Sequence, residues 1–311
     1  MSKETILLIG GGGFLGSALT RYLKTSGYAV HHLLRQAVKP VDPDITVHVG
    51  GLGNSELLRR ILPQFTTVVH LASGTTPGIS ARNPALEAEL NIFPTLHFLE
   101  LLHAYPDIHL VFVSSGGTLY GNPGQSPVGE NTSLSPLSYY GAGKLAIEIF
   151  LQTFSRTFSR RVTILRPSNV YGPGQRFHQG FGVIRTMLQH VFAGTTMEIW
   201  GDGETVRDFI YIEDMADACM KIIRSETHSG VYNVGYGRGY SLNQLHTIIE
   251  RVCMKKLRIH HRQGRAADVK HIVLDYSRIK SELGWAPKIS LEEGIQRTWE
   301  WLKRQDISQE M

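Results

Sequence analysis

Short, wholly apolar runs alternate with longer amphipathic stretches through the first half of the chain. TILLI (Thr5–Ile9) opens the series, followed by a glycine-rich segment and the helical pattern SALTRYLKTSG. Ala29–Leu34 and Thr46–Val49 read as the next two strands, and Ser55–Leu62 as a helix. Thr67–Ala72, His109–Ser114 and Val162–Arg166 follow as strands, spaced by long helical patterns at Pro84–Ala104 and Tyr139–Phe158. Strands that alternate with helices imply right-handed crossovers, and hence an α/β fold with a parallel, doubly wound sheet. After about Pro173 the alternation fades, and turn-rich segments such as GYGRGY break up shorter elements. The expected organisation is a sheet domain over residues 1–172 and a smaller C-terminal lobe over 173–311, with part of 208–220 packing back on the sheet domain.

The glycine-rich segment, Gly10-Gly11-Gly12-Gly13-Phe14-Leu15-Gly16, falls at the first strand–helix junction and satisfies GxxGxxG and GxGxxG together. Glycines serve where backbone must approach a pyrophosphate closely, and the helix N-terminus then offers free N–H groups and a positive dipole end. At this junction the pattern predicts a dinucleotide site. A doubly wound sheet binds ligands beyond the carboxyl ends of its strands. The segments HLASGTT, SSGGTLYG and RPSNVYGPGQ, which follow the fourth, fifth and sixth strands, are therefore expected to ring one crevice. Within LSYYGAGKLAIEIF, Tyr140 and Lys144 stand four residues apart, side by side on one helix face. A free tyrosine, with a pKa near ~10, is a poor base at neutral pH. A neighbouring ammonium favours the phenolate and makes a proton-transfer group usable there.

Composition narrows the partners. The 311 residues, 42% hydrophobic and 19% charged, suffice for a full core and two lobes. No stretch approaches the run of about 20 apolar residues that a membrane span requires, and the N-terminus enters a strand pattern directly rather than a signal peptide. Cys219 and Cys253 lie in apolar helical contexts and are expected to be reduced, which fits the cytoplasm. The net charge of +5 is scattered rather than striped, so no nucleic acid is expected as partner, whereas an anionic small substrate suits it. The fourteen histidines include the adjacent pairs His31/His32 and His260/His261, which point to opposite faces of a strand; no metal site is expected.

The blocks GGGGFLG, VVHLAS, the Asn91 region, VSSGGTLYG, YYGAGK, LRPSNVYGPGQ, RDFIYIEDMADA and DYSRIKSELGW succeed one another along nearly the whole chain. Through them it resembles the extended short-chain dehydrogenase/reductases, in their nucleotide-sugar epimerase/dehydratase branch. The resemblance implies a Rossmann-type dinucleotide-binding domain followed by a lobe for a nucleotide-diphosphate sugar. It implies that Tyr140 is the catalytic acid/base, with Lys144 lowering its pKa and holding the nicotinamide ribose. Cofactor contacts are implied for Gly10, Gly13, Phe14, Leu15 and Gly16, and beyond later strands for Leu71, Ala72, Asn91 and Ser114. The serine or threonine that usually bonds the reacting sugar hydroxyl falls here at Gly116; Ser115, or else Thr118, is expected to replace it. Leu34 stands where an acidic residue usually favours NAD, and Arg35 after it can pair with a 2′-phosphate, so the cofactor is expected to be NAD or NADP with a lean to NADP acceptance. For the substrate, the resemblance places Asn169 on the diphosphate or sugar and Trp200 beside the base. Arg207 and Arg265 would clamp the diphosphate through their planar forks, with Asp268 on the nucleotide ribose. Arg166 and Asp208 are expected to be structural, and His70 to pack beside the cofactor.

The expected activity is 4-epimerisation of a UDP-hexose through a transient 4-keto intermediate, in polysaccharide precursor synthesis. An NADP(H)-dependent 4-keto-sugar-nucleotide reductase is the alternative, favoured by Arg35. A 4,6-dehydratase is disfavoured because Gly117 and Thr118 replace its usual Asp-Glu couple. A non-catalytic dinucleotide sensor has only Gly116 in its support. Relatives imply a homodimer through the helices at Pro84–Ala104 and Tyr139–Phe158, whose outward faces should then be partly apolar.

Overall fold

The computed structural model describes residues 4–37, 42–178, 182–225, 229–263 and 269–307, with backbone only at 306 and 307. The sheet is built from β1 (Thr5–Ile9), β2 (Ala29–Leu34), β3 (Thr46–Val49), β4 (Thr67–His70), β5 (His109–Val113), β6 (Val162–Pro167) and β7 (Gly230–Val234). These seven strands, among the described residues, lie in the order β7-β6-β5-β4-β1-β2-β3, and every pairing is parallel. The sheet is thus the doubly wound α/β architecture that the alternation of elements predicts. β4 and β5 stop slightly short of their expected ends, and β6 runs on to Pro167.

Side chains alternate across the strands, so each apolar run feeds two cores. Leu7, Ile9, Val68, Phe112 and Ile164 face the Ser55–Ile61 helix, the helical residues 84–102 and the Tyr139–Phe158 helix. Ile6, Leu8, Val69, Val111 and Leu165 face the Phe14–Thr25 and Ile212–Arg224 helices, together with Ile279 and Trp285. Those two helices pack on each other. β7, the Ile212–Arg224 helix and Trp285 all come from beyond residue 172, so the chain crosses between its two halves more than once. A third core joins the Val183–Ala193, Leu242–Cys253 and Leu291–Ile307 helices to strand residues such as Met197 and Phe209. A small sheet carries Val206–Tyr211 between Gly239–Ser241 and His271–Ile272, with Asn169–Tyr171 paired to it in parallel. Both cysteines are buried and free. No described helix is long and apolar enough to cross a membrane, and no described cluster of His, Cys, Asp and Glu could hold a metal.

The helical pattern expected over Pro84–Ala104 is helical but irregular: Pro84–Glu87, then a π-turn at Ala88–Ile92, then Phe93–Leu102. Pro94 accounts for the break, since it lacks an N–H and its ring opposes the carbonyl one turn back. π-turns of this kind cluster at functional sites, and this one carries Asn91.

Candidate active site

β1 lies between β2 and β4, so the chain reverses its direction of winding at the carboxyl end of β1, where such sheets open a crevice. Gly10 occupies that point with φ +83°, and a Cβ on it would lie 2.9 Å from Ala72 Cα. A Cβ on Gly16 would lie 2.5 Å from the Gly11 carbonyl oxygen. Glycine is therefore compelled at both positions by backbone, which cannot give way. At Gly13 an added Cβ meets, among the described residues, only the Gly10 carbonyl oxygen, at 3.3 Å. Gly13 caps the Phe14–Thr25 helix with no side-chain bond, and the first turn holds no acidic residue. The leading N–H groups of Phe14, Leu15 and Gly16 and the positive dipole end are thus unopposed, a donor set suited to a diphosphate.

Sequence reasoning weighed His32 only as a metal ligand and missed its place here, where its ring fills the space beneath Gly11. Its Nε2 is 2.8 Å from Thr20 Oγ1, and the Thr20 hydroxyl donates to the Gly16 carbonyl at 2.7 Å. Burial, reinforced by His31, pushes the His32 pKa down to about 4, so a neutral ring buttresses the loop. Leu34 ends β2 half-buried with Arg35 exposed beside it. Leu71 and Ala72 follow β4, also half-buried. Ser114 Oγ, just past β5, is buried and has no hydrogen-bond partner among the described residues.

Tyr140 and Lys144 lie in the first turns of the Tyr139–Phe158 helix, which Ser138 caps by accepting from Gly141 N at 3.1 Å. Lys144 Nζ sits 5.9 Å from the Tyr140 ring centroid and 4.8 Å from that of Phe112, and donates to the Val113 carbonyl at 3.1 Å. The helix thus brings the pair together at the ends of β5 and β4 as expected. Its electrostatics differ from the expectation. Burial, then the negative charge of Glu87, pushes the Tyr140 pKa up to about 12, with a Ser73 hydrogen bond opposing. Lys144 is itself buried, which brings its pKa down to about 8 against the opposing pull of Glu87 and Glu148. The expected lowering of the tyrosine pKa by Lys144 is therefore not what the site shows: burial, with Glu87, sets the direction upward.

Asn91 is buried with both amide hydrogens used inside the protein, on Glu87 Oε1 at 2.7 Å and Thr75 Oγ1 at 2.9 Å. Its oxygen accepts from Gly74 N at 2.7 Å. It thus holds the loop after β4 rather than presenting donors to a ligand. His70 packs edge-on to Phe112 and is kept neutral, burial bringing its pKa down to about 3.

Gly116 has a packing reason. A Cβ there would lie 2.6 Å from Leu274 Cδ1 and 2.9 Å from the Arg166 carbonyl oxygen. We expect Gly116→Ser to lower unfolding stability by ~1–3 kcal/mol through overpacking, measured by urea denaturation; an unchanged midpoint would refute the close-packing account. Hydroxyls come from its neighbours instead. Ser115 caps the Gly116–Leu119 helix without a side-chain bond, and the Thr118 hydroxyl donates weakly to the Ser115 carbonyl at 3.4 Å. Thr118 packs its main chain against Gly141, next to Tyr140. Asn169 lies beside Gly117 and donates to the Asp208 carbonyl at 2.9 Å. Arg207 is half-buried and donates to the Val206 carbonyl at 2.9 Å. Trp200 is exposed at the end of Met197–Trp200. Arg265 and Asp268 fall outside the described residues. Asp208 accepts from Tyr236 N, Gly237 N and Leu274 N, and its burial raises its pKa to about 6.

Residues 6–235 match the model of the NAD dependent epimerase/dehydratase family. A putative UDP-glucose 4-epimerase of Methanocaldococcus jannaschii is 32% identical over 96% of this chain and 98% of its own length. The crystal structure of a Thermotoga maritima UDP-glucose 4-epimerase with UDP-glucose superposes with a TM-score of 0.91 at 32% identity, covering 97% of this chain and 99% of that one. A Thermus thermophilus UDP-glucose 4-epimerase in complex with NAD gives 0.89 at 29% identity, over 96% and 99%.

Proposed function

Since the chain belongs to the NAD dependent epimerase/dehydratase family, we propose that it inverts C4 of a UDP-hexose through a 4-keto intermediate. The observation that carries this reading is the Tyr140/Lys144 pair standing at the carboxyl ends of β4 and β5, one strand from the glycine cradle. A nicotinamide dinucleotide bound in that cradle supplies a hydride acceptor and donor. Gly10, Gly13 and Gly16 admit its diphosphate, on the N–H groups of Phe14 and Leu15. Leu71, Ala72 and Ser114 line its path along the strand ends. Tyr140 takes the proton from the sugar O4 and returns it after the ketone has turned over. Lys144 holds a positive charge beneath the phenol at pH values below about 8. Ser115 or Thr118 bonds the reacting oxygen. Arg207 and Arg265 anchor the diphosphate, with Asn169 on the diphosphate or sugar, Asp268 on the ribose and Trp200 beside the base. Residues 1–172, joined on the sheet by the Ile212–Arg224 helix and Gly230–Val234, form the dinucleotide domain, and the remainder of 173–311 the substrate lobe.

Arg35, with Leu34 in place of an acid, supports acceptance of NADP as well as NAD. Leu90 and Phe93 on one helix and Ile149, Phe150 and Phe158 on the other are exposed, which supports a homodimer through these faces. The two buried free cysteines fit the cytoplasm.

Proton NMR of the purified protein with UDP-glucose and UDP-N-acetylglucosamine, with no cofactor added, tests the reading. Appearance of the galacto epimer is the expected result and identifies an epimerase that retains its dinucleotide. Folded protein that converts neither, yet reduces a 4-keto-6-deoxy sugar nucleotide with NADPH, would establish the reductase instead.

A further inference from the structure

Glu87 is the one carboxylate that bears on both members of the Tyr140/Lys144 pair among the described residues. It is 3% exposed and ends the Pro84–Glu87 helix, immediately before the π-turn. Its Oε2 accepts from Thr75 Oγ1 at 2.5 Å and its Oε1 from Asn91 Nδ2 at 2.7 Å. The carboxylate is thereby tied to the loop after β4 on one side and to the π-turn on the other. Across from it stands Gly143, where an added Cβ would lie 2.5 Å from Glu87 Oε1. Residues 140, 143 and 144 share one helix face. Glu87 therefore occupies the space that a side chain at 143 would fill, on the helix face that Tyr140 and Lys144 share.

We infer that Glu87 is a positioning residue of the active site, whose carboxylate, seated over Gly143, biases the charge state of the Tyr140/Lys144 pair. The negative charge acts on both partners in the same sense. It favours the ammonium of Lys144 and disfavours the phenolate of Tyr140. Other charged groups around the pair are few. Glu148, one turn beyond Lys144, acts on that lysine but is neutralised by Arg166 at 2.7 Å. His70, on β4, is held neutral. On its own segment Glu87 is flanked by Arg82 and Glu89, both exposed. Burial and Glu87 together hold Tyr140 as the neutral phenol.

The inference rests on the proposed reaction only for its kinetic consequence, and its first test needs no substrate. Lysine labelled with 13C at Cε is expected to give one resonance that titrates near pH 8 in the wild-type chain; its disappearance in Lys144→Arg assigns it. In Glu87→Gln, which keeps one of the two acceptor oxygens that Thr75 and Asn91 use, this titration is expected about one pH unit lower, with Glu87→Asp restoring most of the shift. Gly143→Ala, which displaces the carboxylate without removing it, is expected to move the titration in the same direction and serves if Glu87→Gln does not fold. The acid limb of kcat/KM for whichever sugar nucleotide is turned over should move down with Glu87→Gln. A Lys144 titration unmoved in both folded variants would overturn the inference, leaving Glu87 a purely structural tie. Absence of turnover by the wild-type chain, with the titration shifted in the variants, would instead count against the assigned reaction.

Discussion

Tyr140→Phe is expected to lower turnover by about 10²–10⁴-fold while leaving dinucleotide affinity unchanged. The range is what a positioned general acid–base contributes. The substitution removes one oxygen and no packing volume, and the cradle at Gly10–Gly16 lies on a different element. Turnover by the epimerisation assay and binding by titration calorimetry separate the two effects. A variant retaining most of its activity would remove Tyr140 from the mechanism. One that lost binding as well would show the phenol to be a cofactor contact first. Lys144→Met should weaken both turnover and binding, because its ammonium sits under the phenol and is tethered to Val113 at the end of β5.

The second large effect is structural. Arg166→Leu is expected to cost ~3–5 kcal/mol of stability, because it strands a fully buried carboxylate. Arg166 Nη2 lies 2.7 Å from Glu148 Oε2, and Nε lies 3.1 Å from each Glu148 oxygen. The same guanidinium donates to the Tyr120 hydroxyl at 3.0 Å, and Tyr120 donates on to Asn233 Oδ1 at 2.7 Å. Asn233 donates to the Val128 carbonyl, so the network links the Tyr139–Phe158 helix, β6 and β7. The double variant Arg166→Leu/Glu148→Leu should lose less than the single one, since an apolar pair strands no charge. Urea unfolding of both proteins measures the difference. Equal losses would mean that the network contributes through packing rather than through charge compensation.

Much of the site was legible locally. Glycine spacing at a strand–helix junction marks the cradle because only glycine tolerates the φ of Gly10 and the contact distances at Gly10 and Gly16. The i, i+4 rule placed Lys144 beneath Tyr140 without knowledge of any other element. Arg166 reads as structural in its strand, and the structure gives it a buried acidic partner one turn beyond Lys144. The residues whose roles escaped notice act across the fold. His32 supports the loop from β2, and Glu87 reaches the helix only through the space that Gly143 leaves.

The amino-acid sequence by itself determined the strands, the glycine cradle and the tyrosine–lysine adjacency, because each depends on periodicity or on the steric limits of neighbouring residues. Tertiary structure alone decided that Gly230–Val234 completes the sheet beside β6, since that pairing joins segments far apart along the chain. It decided that Gly116 admits no side chain, because Leu274 and the Arg166 carbonyl close the space. It also decided the sign of the Tyr140 shift. Ionisation answers to the water removed and to the charges assembled around a group, and here those are burial in the crevice and a carboxylate carried by another helix.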